Sequence, residues 1–138
     1  MARRKLSHEG TLILDSEGLS KLLADDEQTV ALVAEARSRG MEVVISALTI
    51  IEAVHARTNK SRLNWVLSGL RVVPVVGDED ARAASMLLMN AGLHGHKYAI
   101  DAAVAEAALR QHRPVVMLTS DIDDMAKLCG ERVRLVAV

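Results

Sequence analysis

Apolar residues in this chain fall into short runs, separated by stretches in which they recur every three or four positions. The runs are Thr11-Leu-Ile-Leu14, Glu42-Val-Val-Ile45, Arg71-Val-Val-Pro-Val-Val76, Pro114-Val-Val-Met-Leu118 and Val133 to Val138. Each has the length and β-branched character of a buried strand. Pro74 places the third at a sheet edge, because proline gives the ladder no N–H. Between the runs, the helical spacing predicts helices over Leu19–Ala24 and Glu27–Arg39, the second stopped by Gly40. Ser46 or Thr49 caps a helix carrying Ile50, Ile51 and Glu52, and another helix covers Lys60–Leu70. Asp78 caps an alanine-rich helix that reaches Asn90, Gly92 and Gly95 mark a loop, and helices follow over Tyr98–Gln111 and Asp121–Leu128. Strands alternating with helices predict a three-layer α/β domain with a largely parallel sheet. Nothing divides the chain, so residues 1–138 read as one domain, with residues 1–9 as a basic N-terminal extension.

Acidic residues stand where the chain returns to one edge of such a sheet. Strand C-termini and helix N-termini share that edge. Asp15 follows the first strand, Glu52 sits near a helix start, and Asp121 follows the fourth strand. Capping or solvated readings compete for each of these. Asp101 is different, because its helical neighbours Val104, Ala105 and Ala108 are apolar and an isolated carboxylate there would lose much hydration. Glu106 falls on another face and reads as solvated. Carboxylates about 4 Å apart repel by roughly 1 to 4 kcal/mol per pair, whereas a helix N-terminus returns only about 0.3 to 1 kcal/mol. A convergent quartet therefore needs a cation, and all-oxygen donors suit Mg²⁺ or Mn²⁺.

Composition narrows the picture. Half the residues are hydrophobic and a quarter are charged, as in a soluble globular protein. The net charge of −1 does not mark a generic nucleic-acid binder, and one Trp and one Tyr leave little for base stacking. The single cysteine, Cys129, excludes an internal disulfide and a thiolate zinc site and reads as a packed hydrophobe. No run is long enough to span a membrane, and no signal-peptide core follows the basic N-terminus, so a cytoplasmic location is expected.

Four pieces of the chain together resemble the PIN domain, and within it the VapC-like toxin ribonucleases of bacterial toxin–antitoxin pairs. They are Leu12-Ile-Leu-Asp15, Thr49-Ile-Ile-Glu52, Ala99-Ile-Asp-Ala-Ala-Val-Ala105 and Leu118-Thr-Ser-Asp-Ile-Asp-Asp124, in the family's order across nearly the whole chain. The resemblance implies a five-stranded sheet in the order 3-2-1-4-5, flanked by helices. It implies an acidic quartet at Asp15, Glu52, Asp101 and Asp121 that holds Mg²⁺ or Mn²⁺ and cuts single-stranded segments of folded RNA. It also implies a homodimer and a small antitoxin partner. The Gly92-Leu-His-Gly-His-Lys97 loop and the Arg3-Arg-Lys5 extension depart from the family pattern.

The expected chemistry is metal-dependent phosphodiester hydrolysis. Thr119, Ser120 and Asp124 are candidates for an outer shell, and His94, His96 and Lys97 for substrate contact. His55 shares a helical face with Glu52, Lys60, Arg62 and Arg71 are candidate RNA contacts, and Met86 and Met89 read as helix packing. Two other readings stay open. Asp15-Ser-Glu-Gly18 faintly resembles the DxDG opening of haloacid-dehalogenase-like phosphatases, with Asp15 as nucleophile and Glu17 in place of the second aspartate. The other is a non-catalytic PIN-like module that binds RNA or protein.

Overall fold

The computed structural model describes residues 9–75 and 77–138. Most of the basic extension, and Val76, lie outside the described residues. The sheet runs β3-β2-β1-β4-β5, and every adjacent pair is parallel. Its strands are β1 (Thr11–Leu14), β2 (Glu42–Ser46), β3 (Arg71–Val73), β4 (Val115–Thr119) and β5 (Val133–Ala137). The helices are α1 (Ser16–Leu23), α2 (Glu27–Ser38), α3 (Ala47–Ala53), α4 (Lys60–Ser68), α5 (Asp78–Ala91), α6 (Gly95–Leu109) and α7 (Ile122–Cys129). The sheet order is the one the family resemblance implied. β3 is shorter than its apolar run and stops before Pro74, at the outer edge.

Side chains alternate across the sheet and feed two cores. Ile13, Val44 and Met117 pack with buried residues of α5, α6 and α7, whereas Leu12, Leu14, Val43, Ile45 and Leu118 pack with α1, α2 and α4. Both faces of β1 are therefore buried, which is why its sequence is continuously apolar rather than alternating. Cys129 lies in the first core as a buried free thiol, and burial raises its pKa to about 11. Among the described residues, no helix is long and apolar enough to cross a membrane.

Register decides which residues meet at the rim. Leu14 pairs with Ile45 on one side and with Leu118 on the other, so β1, β2 and β4 end level with one another. α1 then leaves at once and crosses close to β4. A Cβ on Gly18 would lie 3.1 Å from the Leu118 carbonyl oxygen and 3.2 Å from the Leu14 Cβ. At the other rim, Arg71 opens β3, while Arg113, Arg132 and Arg134 stand where β4 and β5 begin. Arg71 is clamped there to Glu42, at 2.7 and 2.9 Å, and its pKa is raised mainly by that contact. Its guanidinium is thus engaged by Glu42 at the start of β2.

Several local expectations need correction. Glu106 is buried rather than solvated, because α6 is enclosed by the sheet on one side and α5 on the other. It accepts a 2.7 Å hydrogen bond from Arg110 Nε. Met86 and Met89 point outward from α5, 50 % and 65 % exposed. Gly95 begins α6 instead of lying in a loop, and the helix is kinked at Tyr98 (φ −113°, ψ 17°). Gly77, not Asp78, occupies the cap position of α5. Of the two hydroxyls proposed to cap α3, Ser46 does so, accepting from the Leu48 N–H at 3.2 Å.

Candidate active site

Asp15 ends β1 and becomes the N-cap of α1, with its Oδ1 accepting the Gly18 N–H at 2.9 Å. It is 4 % exposed. Asp15 thus caps its helix while standing on the acidic rim. Burial raises the Asp15 pKa, the Thr119 hydroxyl and the Gly18 N–H act the other way, and the Asp121 charge raises it further. Asp121 is the N-cap residue of α7 and is exposed, with no capping bond from its own side chain. Its backbone N–H instead donates to Thr119 Oγ1 at 2.9 Å. Thr119, fully buried, therefore links the ends of β1 and β4.

Glu52 lies on α3 and is exposed, whereas Asp101 on α6 and Asp124 on the first turn of α7 are partly buried. Asp101 shows that these elements converge. Its pKa is pushed up to about 6, first by burial and then by the charges of Asp121, Glu52, Asp15 and Asp124. All four residues of the quartet, together with Asp124, thus share one electrostatic environment. None of the five takes part in an ion pair among the described residues.

No group of three or more described His, Cys, Asp or Glu side chains is gathered tightly enough to hold a metal ion as it stands. The two findings are compatible. Coulombic influence reaches several ångströms, while a Mg–O bond spans about 2.1 Å. Glu52 and Asp121 are exposed, whereas Asp15 is buried and Asp101 and Asp124 are partly buried. The donor set is hard oxygen throughout, with no thiolate or imidazole among the five acids, and it fits Mg²⁺ or Mn²⁺ in kind.

Thr49 reads from the sequence as a candidate cap and as the start of the Thr49-Ile-Ile-Glu52 piece. Its Oγ1 is buried without a hydrogen-bond partner, one helical turn before Glu52 on the same face of α3. That i, i+3 spacing to an acid was the available signal. Ser120 is exposed beside Asp121. His94, His96 and Lys97 are exposed around the first turn of α6, with Lys97 Nζ 5.2 Å from the Tyr98 ring centroid. His55 does not lie on α3 as expected, because the helix ends at Ala53 and His55 belongs to the loop that follows.

No family model matches the chain. No curated protein matches it in sequence either. Solved structures do. One chain of the Rickettsia felis VapBC2 complex bound to a promoter DNA fragment is 16 % identical with a TM-score of 0.69, covering 93 % of this chain and 98 % of that one. A chain of FitAB bound to an IR36 DNA fragment is 19 % identical with a TM-score of 0.67, covering 92 % and 94 %. A chain of DNA-bound VapBC from Salmonella typhimurium is 18 % identical with a TM-score of 0.65, covering 93 % and 98 %. At these identities the likeness is one of fold, and it extends over nearly the full length of all three chains.

Proposed function

We propose that this protein is a metal-dependent endoribonuclease and the toxin of a toxin–antitoxin pair. The observation that carries the reading is the placement of Asp15, Glu52, Asp121 and Asp124, from separate elements, close enough to the partly buried Asp101 for their charges to act on it. A binding module has no need of such a concentration of negative charge without a compensating cation. The VapC-like sequence pieces and the structural likeness to VapBC and FitAB chains support the same reading.

Asp15, Glu52, Asp101 and Asp121 would hold the ion, with Asp124 and Ser120 beside them. When bound, Mg²⁺ or Mn²⁺ supplies Lewis acidity and charge neutralisation at a phosphodiester. Thr119 positions the pair at the centre of the sheet, its oxygen held by the Asp121 N–H and its hydroxyl set towards Asp15. Burial of Asp15 and Asp101 excludes water from their inner faces and sharpens their preference for a cation.

We also assign the chain an antitoxin partner, a second copy of itself and a cytoplasmic location. Ile51, Trp65, Met86 and Met89 are 50 to 70 % exposed and offer apolar surface for protein contacts. The complexes named among the similar structures are consistent with a partner chain.

The test is incubation of purified protein with total RNA and Mg²⁺ or Mn²⁺, followed by mapping of new ends. Wild type is expected to cut and Asp101→Asn to be inactive while folded. Equal cutting by a folded Asp101→Asn protein would refute the assignment. An aspartyl phosphate on Asp15 without RNA cleavage would favour the phosphatase reading instead.

A further inference from the structure

A cleft of about 250 Å³ lies between α1, the end of α3 and the loop into α4. Its apolar wall is Leu23, Ala24 and Ala53, and its polar lining includes His55, Arg57, Thr58 and Asn59. Among the described residues, no carboxylate lines it. The hydrogen bonds of the loop leave donors on these lining residues uncommitted. His55 Nδ1 accepts the Arg57 N–H at 3.1 Å, so the neutral ring carries its proton on Nε2. Thr58 Oγ1 accepts the His55 N–H at 3.0 Å, which leaves its hydroxyl proton to donate. Asn59 Oδ1 accepts the Arg62 N–H at 2.9 Å, which leaves its amide NH₂ free.

The two arginines differ in what they can do. Arg62 is already committed, bonding the Leu22 and Leu23 carbonyls and pairing with Asp25. Arg57 is exposed and has no ion pair among the described residues. An unpaired guanidinium beside three neutral donors is the chemistry of an anion site.

The position relative to the acidic rim makes the anion specific. Ala53 adjoins Glu52, and the three residues from Glu52 to His55 span no more than about 11 Å. On α1, Ser20 in the cleft lies about 8 Å along the helix from Asp15. We propose that this cleft is a phosphate subsite, holding a backbone phosphate of the RNA strand a short way from the bond that lies at the carboxylates. The inference rests on the nuclease reading and deepens it. The basic cleft draws the polyanion to a rim that would otherwise repel it. The chain reads backbone here rather than bases, in keeping with a protein that has one tryptophan and one tyrosine.

The test uses the full chain carrying Asp101→Asn, which prevents cutting, with a labelled single-stranded RNA oligonucleotide in Mg²⁺ buffer. Anisotropy titrations over a salt series give affinity and its salt slope. Adding Arg57→Ala is expected to weaken binding about tenfold, the worth of one charge-assisted contact, and to lower the salt slope by about 0.7. Arg57→Lys should restore the slope, and Arg113→Ala on the opposite rim should change neither quantity. Unchanged affinity and slope in Arg57→Ala, or an equal loss in Arg113→Ala, would overturn the subsite. Failure of the nuclease reading looks different, because wild type would then cut no RNA while binding still depended on Arg57.

Discussion

Replacing Asp101 by asparagine should stabilise the metal-free protein, although it removes the group most exposed to the acidic field. An unfolded aspartate titrates near 3.8, whereas burial and four neighbouring carboxylates hold the folded one up to about 6. Below about pH 4 both states carry the proton and the group contributes no difference. Between about pH 4 and pH 6 the folded state keeps a proton that the unfolded chain has released, so stability falls as pH rises. Above about pH 6 both are ionised and the penalty is complete. The shift in full corresponds to about 3 kcal/mol. The side chain is only about half buried and solvent screens it, so a realistic share is about 1 to 2 kcal/mol. Urea denaturation followed by far-ultraviolet circular dichroism, in the presence of a chelator, measures this directly. Wild type and Asp101→Asn should match near pH 4 and diverge in favour of the variant above pH 6. Millimolar Mg²⁺ or Mn²⁺ at pH 7.5 should then close the gap by stabilising wild type alone, and should do so less at pH 5, where the ion must displace a proton. Parallel stability curves across this range, or a variant less stable at pH 8, would refute the convergence of charges on Asp101.

Asp15→Ala should lose the bond to the Gly18 N–H and about 1 kcal/mol of stability. Asp15→Asn keeps the acceptor and should melt near wild type, yet both variants should fail to cut RNA. Thermal melts paired with the cleavage assay distinguish the two roles. Arg110→Ala should lower the urea midpoint by an amount equivalent to about 1 to 3 kcal/mol, because it strands the buried Glu106 carboxylate. Adding Glu106→Gln should recover part of that loss.

The periodicity of the chain disclosed the strands and helices because β1, β2 and β4 are largely buried on both faces and several helices carry a cap or stop in their own residues. Asp26, Asn59 and Gly92 are such punctuation. Sheet order was not in the pattern, since alternating strands and helices admit several orders, and it came from the family resemblance. Asp101 was legible because an acid among alanines and valines has no local explanation. Glu106 was misread because helical angle alone cannot tell that both flanks of α6 are covered. Arg110, one turn further on, was the clue to its partner. Met86 and Met89 were misread for the converse reason, as apolar side chains at helical spacing face inward only if something lies on that side. The donors around His55 could not be foreseen, because they depend on where α3 stops, one residue before a loop that folds onto its own backbone.

Parallel strands sort charge as well as chain direction. The net charge of −1 conceals an uneven distribution: a carboxylate pole where the strands finish, and Arg113, Arg132 and Arg134, with Glu131 among them, where β4 and β5 start. Such a particle should be retained on both anion- and cation-exchange resins at low ionic strength, and released from each by modest salt. Before divalent ions are bound, that carboxylate pole opposes the pull of the Arg57 cleft on an arriving polyanion. With those ions already loaded, the carboxylate pole is softened and encounters there become productive, so the order in which metal and RNA are added should set the rate of the first cut.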